Sequence, residues 1–183
     1  LFKVNKVSAP DGIVGSVEYD ADGNPTTLFD TDPEGADCQT AMTAGCKKLV
    51  ITYTGSGSAT RVSTVGLHLV GNGGNTTVTD VGCFTYDGQG RLASSWDPRT
   101  ESTTCDLQAP VLPTSYGYDT SDRITSVTPP GQAAWAYTYD TLGRVATVFR
   151  THGQPFGGGT QTATFAYGVD ITATSAGDDS HPD

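Results

Sequence analysis

A thirteen-residue phrase recurs along this chain, and the recurrence constrains the fold more than any single residue does. It reads YTYDTLGRVATVF at residues 137–149 and FTYDGQGRLASSW at 84–96. It returns as YGYDTSDRITSV at 116–127 and, worn, as VEYDADGNPTTLF at 17–29. Self-similar units are how a scaffold is assembled, each copy supplying one supersecondary element that its neighbours cover.

Each copy reads as one β-hairpin. Tyr137 and Tyr139 alternate with Thr138, so both rings share a face of a strand. Asp140 opens a turn, because its carboxylate can accept a backbone N–H two residues on. Gly143 supplies the positive φ that closes the loop, and Arg144 to Phe149 return as the second strand. Tyr86, Asp87, Gly90 and Arg91 repeat the pattern, as do Tyr118, Asp119 and Arg123. In that copy Asp122 stands at the glycine position, and Asp tolerates the left-handed region better than most residues. In the worn copy Gly23 remains, Asn24 replaces arginine, and Pro25 implies an edge strand or a late start.

The anchor tyrosines are Tyr19, Tyr86, Tyr118 and Tyr139, with Tyr53 and Tyr167 as weaker candidates. A Gly/Asn turn is expected within LVGNGGNTTV (69–78) and a helical turn near Thr40–Ala44. About five hairpins in succession follow. The expected fold is all-β: antiparallel hairpins forming a curved or spiralling sheet over residues 1–175, with a polar tail at 176–183. Abundant Thr and Val, with 23 Gly and 10 Pro, suit pleated strands and tight turns.

Charge narrows the partners. Ten Lys and Arg oppose twenty Asp and Glu, a formal net charge of −10. Such an average repels a phosphate backbone, so no nucleic-acid partner is expected. No apolar run of about 18 residues occurs, so no membrane insertion by a helix is expected. The chain starts without Met and reads as a piece of a longer polypeptide.

Cys38, Cys46, Cys83 and Cys105 allow three disulfide pairings. Proximity favours Cys38–Cys46 and Cys83–Cys105; four reduced buried thiols are the other reading. An even count in a Thr/Gly-rich acidic chain points to an oxidising, exported setting. None of the four sits in a C-x-x-C pair, and His68, His152 and His181 are scattered, which does not make a zinc site. Asp20, Asp22 and Asn24 alternate as in a calcium loop, but Thr31 stands where an EF-hand needs its glutamate; an ordinary Asp/Gly turn is the other reading. Trp96 and Trp135 could stack on sugars or belong to the core. No nucleophile elbow, H-E-x-x-H motif or phosphate loop occurs, so neither enzyme activity nor a cofactor is expected.

The pattern Y-x-Y-D-x-x-G-R-[LIV], best at 84–97, 116–128 and 137–149 and partly kept at 17–29, resembles the YD repeat of Rhs-repeat proteins. That family includes bacterial polymorphic toxins, the shell component of insecticidal toxin complexes and, more distantly, teneurins. The resemblance implies a ribbon of hairpins wound into a hollow shell that encloses a toxin segment. The expected role is therefore a non-catalytic scaffold of a secreted protein, its partners being the rest of the parent polypeptide and its cargo. The alternative is a cell-surface adhesion or carbohydrate-binding module, with a surface glycan as partner. SWDPRT (95–100) has an Asp-Pro step but not the family's self-cleavage pattern, so that activity carries over to no residue here.

Overall fold

The computed structural model describes residues 3–4, 6–8, 14–30, 38–100, 104–105, 112–152 and 159–167. Twelve strands form among them: β1 (Lys6–Ser8), β2 (Val14–Tyr19), β3 (Pro25–Phe29), β4 (Lys47–Thr54), β5 (Arg61–Val70), β6 (Thr76–Tyr86), β7 (Leu92–Trp96), β8 (Thr114–Tyr118), β9 (Ile124–Thr128), β10 (Trp135–Tyr139), β11 (Val145–His152) and β12 (Gly159–Thr164). The only helical elements described are single 3-10 turns at Gly57–Ala59 and Pro98–Thr100. None is long and apolar enough to cross a membrane, which says nothing of strands. The polar tail at 176–183, His181 and the side chain of His152 lie outside the described residues.

The chain divides into two units. The first holds residues up to Tyr116 with Pro129–Gly131; the second holds Gly117–Thr128 and the chain from Gln132 onward. Within each, strands adjacent in sequence lie side by side, and the registered pairings are antiparallel. The expected all-β architecture of successive hairpins is what forms, and five of the hairpins close on repeat corners. A sixth turn, at Gly71–Asn75, joins β5 to β6, with Gly74 N–H donating to the Gly71 carbonyl at 2.9 Å. Pro25 opens β3, which lies between β2 and β4; the missing N–H is tolerated because it is the strand's first residue.

Residues 40–44 do not form the expected helical turn. Gly45 donates to the Val70 carbonyl and Val70 N–H to the Cys46 carbonyl, at 2.8 and 3.0 Å, which draws the loop onto β5. A disulfide joins Cys38 and Cys46 across it. These tertiary ties override the helix propensity of Ala41, Met42 and Ala44.

Strand alternation sorts side chains onto two faces. In the first unit Val17, Leu28, Leu49, Ile51, Val65, Leu67, Leu69 and Phe84 share a face with the corner tyrosines. Thr27, Phe29, Val70, Cys83 and Trp96 point to the opposite face, and all five are buried. The core sits on that second face, under the two loops that carry the remaining cysteines. Phe29 packs beneath the Lys48 ammonium, 5.5 Å from the ring centroid. Cys83 bonds to Cys105, whose N–H is held by the Asp80 carboxylate at 2.8 Å.

Candidate functional site: the repeat corners

The corner geometry follows from aspartate chemistry. Asp87 N–H donates to the Arg91 carbonyl and Gly90 N–H to the Asp87 carbonyl, both at 2.9 Å. One carboxylate oxygen, Oδ1, accepts the N–H groups of Gln89 and Arg91 at 3.0 and 2.9 Å. The other, Oδ2, accepts Arg91 Nε at 2.8 Å. Asp119 binds Ser121, Arg123 N–H and Arg123 Nε in the same way, and Asp140 binds Leu142, Arg144 N–H and Arg144 Nε. Gly90 and Gly143 have φ of +77° and +79°, and Asp122 takes the same region at +61°.

This environment holds the carboxylates charged. Asp87, Asp119 and Asp140 lie below the ordinary aspartate range, chiefly through the backbone N–H of the arginine four residues on, then through its side chain. Both oxygens of each carboxylate accept donors of its own turn.

Each corner also reaches back to the previous one. Tyr86 Oη donates to the Val62 carbonyl at 2.7 Å, Tyr139 to Ile124 at 2.6 Å and Tyr167 to Val145 at 2.9 Å. Tyr53 donates to Pro25 at 2.6 Å, and Tyr19 to Val4 at 2.9 Å. In every case the acceptor is the residue after the preceding corner's arginine or its substitute. The cation of that corner covers the same ring: Arg123 lies 4.6 Å from the Tyr139 centroid and Arg144 4.2 Å from Tyr167. Lys3 lies 5.1 Å from Tyr19, so Lys3-Val4 fills the Arg-Val position of a corner.

One further device recurs. The strand leaving the corner carries an extra residue in four hairpins, between the partners of Glu18/Tyr19, Thr52/Tyr53, Thr85/Tyr86 and Thr138/Tyr139. Such bulges raise local twist. On the face away from the rings, Thr85 pairs with Ser94 and Thr138 with Thr147, both at 2.6 Å.

The weaker sequence candidates, Tyr53 and Tyr167, belong to this ladder. At the Tyr53 corner Thr54 replaces aspartate, and Arg61 instead donates to the Ser58 and Thr60 carbonyls at 2.8 Å. Its Nε reaches the Gly90 carbonyl of the next corner at 3.3 Å. Motif matching alone overlooked the stacking of one corner's cation on the next tyrosine. The signal available was positional: Arg61-Val62, Arg123-Ile124 and Arg144-Val145 each set a cation before an apolar residue.

At the alternating Asp20, Asp22 and Asn24 the first and third residues are bonded to each other. Asp20 accepts both the N–H and the side-chain Nδ2 of Asn24 at 2.8 Å, which lowers its pKa, through the Asn24 side chain first. The bond closes the turn as the ordinary Asp/Gly reading describes. Asn24 is the uncharged substitute for arginine. Among the described residues no group of three or more His, Cys, Asp or Glu is placed to hold a metal ion.

The other singled-out residues have structural surroundings. Trp96 is buried, and Trp135 is half-buried with the Arg150 guanidinium 5.3 Å from its ring. His68 stands opposite Lys48 on β4; burial, then Lys48, pushes its pKa down, against the opposing pull of Asp80. Asp97 is gripped by Arg99, mainly through the guanidinium, which lowers it to about 2.

The family model described as RHS Repeat matches residues 86–134 and 118–153. No curated protein matches the chain. Among solved structures, a porin-like protein from Bacteroides uniformis is 12% identical, with 88% of this chain and 73% of that one covered and a TM-score of 0.45. The TcdB2-TccC3-TEV structure is 14% identical, with 79% of this chain and 11% of that one covered and a TM-score of 0.21.

Proposed function

We propose a structural role for this chain, which belongs to the RHS-repeat family through residues 86–153: it is a length of non-catalytic shell wall in a secreted protein, and the parent polypeptide uses that wall to enclose a toxin segment. The observation that supports this reading is the corner ladder. Tyrosine, aspartate and arginine of each repeat are used up in binding their own turn and the preceding hairpin, which leaves a sheet rather than a reactive pocket. A wall built this way extends by adding hairpins, since each new tyrosine needs only the carbonyl of the last corner. The two disulfides fit export to an oxidising compartment.

Limited proteolysis of the parent polypeptide tests the enclosure. The segment inside should resist cleavage until the shell is unfolded, and cleavage of that segment in the intact shell would refute the reading. The rival, a carbohydrate-binding or adhesion module, has against it that Trp96 is buried and Trp135 is capped by Arg150. Retention on a glycan array that is lost in Trp135→Ala would revive it.

A further inference from the structure

We propose that the Cys83–Cys105 disulfide is a thiol-sensitive latch. A reducing thiol attacks Cys105 in the folded chain and frees the strap of chain over Trp96, while Cys38–Cys46 stays closed. The inference concerns the isolated chain and does not rest on the shell-wall reading.

The two disulfides differ in access. Cys38 and Cys46 expose no surface and form one buried cluster with Val70, against which Met42 packs. Cys83 exposes none either. Cys105 is half-buried, its Sγ 3.7 Å from the Gly82 carbonyl. Thiol–disulfide exchange needs a thiolate to reach one of the two sulfurs, and its rate follows that access. Of the four cysteines, Cys105 alone offers an approach without prior opening of the fold.

The bond holds down a strap. β7 ends at Trp96, and the chain after it turns back over β6. The Pro98–Thr100 turn packs against β6, with Pro98 fully buried. Cys105 is then fixed to β6 twice, by its bond to Cys83 and by Asp80 Oδ2, which accepts the Cys105 N–H at 2.8 Å. Trp96 stands opposite Cys83 in the register, on the same face, and is buried there. The other disulfide loop is tied to Val70, further along β5 from Thr64, the partner of Cys83.

Closure of the strap has a cost. Trp96 Nε1 is buried and meets no acceptor among the described residues. A buried donor without an acceptor disfavours the closed arrangement, and water admitted by opening would satisfy it. Once the disulfide is cut, the Asp80 hydrogen bond is the one tie left of the two at Cys105.

The exchange balances with two thiols. The first thiolate bonds to Cys105 Sγ, the disulfide breaks, and its electron pair leaves on Cys83 Sγ, which takes a proton from water. A second thiolate attacks the sulfur of the bound reductant, and Cys105 leaves and is protonated. Two reductant thiols are oxidised to their disulfide, and one protein disulfide is reduced.

The whole chain without denaturant serves for the test. Treatment with cysteamine, a monothiol, is followed by acid quenching, unfolding, alkylation with N-ethylmaleimide and peptide mapping. The first mixed disulfide should sit on Cys105, with Cys83 alkylated. In dithiothreitol Cys83–Cys105 should open about tenfold or more faster than Cys38–Cys46. In the Trp135→Phe chain, Trp96 emission should move to the red in step with that first opening. Adding Cys105→Ser should give the red emission before any reductant. A mixed disulfide on Cys83, equal rates for the two pairs, or Trp96 emission unchanged once Cys83–Cys105 is open overturns the proposal. So does a folded chain in which neither pair is reduced. If circular dichroism shows that Cys105→Ser does not fold, the mapping of the chain with all four cysteines decides alone.

Discussion

The two units carry the same motif and hold it differently. All the buried apolar side chains among the described residues, Phe29, Cys38, Cys46, Val70, Cys83, Trp96 and Pro98, lie in the first unit, as do both disulfides. The second unit has none buried among its described residues. It has instead two full Asp–Arg corners, at Asp119 and Asp140, and two arginines stacked on the following tyrosine. Two of the first unit's three corners are degraded, with Asn24 for arginine and Thr54 for aspartate. Motif fidelity and core are thus complementary: a corner can lose its ion pair where a disulfide-tied loop covers the sheet beside it.

The largest effect should come from removing the first unit's ties. Each unit holds one tryptophan, so Trp135→Phe reports on the first unit and Trp96→Phe on the second. Reduction opens loops of 22 and 8 residues and should cost about 3 and about 2.5 kcal/mol. Urea unfolding followed by Trp96 fluorescence should shift accordingly, while the Trp135 transition stays put. Equal shifts in both would break the comparison.

Next comes Gly143→Val, which forces a β-branched residue to a φ near +79°. It should destabilise the second unit by more than about 1 kcal/mol, read from the Trp135 transition. Tyr139→Phe removes one donor from the Ile124 carbonyl and should cost about 0.5–1.5 kcal/mol in the same assay.

The smallest effect is that of pH. Asp87, Asp119 and Asp140 have folded pKa values below their unfolded ones. Their contribution is therefore complete above the unfolded value, near pH ~4, and fades as pH falls through the folded value. These groups are only half-buried, so the loss should be slight in each unit; in the first, Asp20, lowered by Asn24, and Asp97, lowered to about 2 by Arg99, add to Asp87. Acid titration of the two tryptophan signals checks that neither unit is lost above the ordinary aspartate range.

The corners were legible in the sequence because Asp-x-x-Gly-Arg encodes a turn locally: the carboxylate, the positive φ and the returning cation act within five residues. Tyr53 and Tyr167 were fainter because Thr54 and Gly168 break that local code, while their hydroxyl bonds depend on carbonyls more than twenty residues earlier. The two-faced character was hidden for a different reason. Threonine is spread through both faces, which blurs the period-two alternation, and the bulge at each corner shifts the phase once per hairpin. The Ala/Met-rich loop at 40–44 misled because local propensity does not register a disulfide or a pairing with Val70.

Hydrogen exchange at the Arg123 amide in Gly143→Val tests the coupling of one corner to the next most directly. That amide is held by Asp119, and its corner touches the damaged one through Tyr139 on the Ile124 carbonyl and Arg123 on the Tyr139 ring. Protection should fall at Arg123 together with Arg144. Loss confined to Arg144, with Arg123 protected as in the parent chain, would mean that the corners stand alone and that the ladder builds nothing.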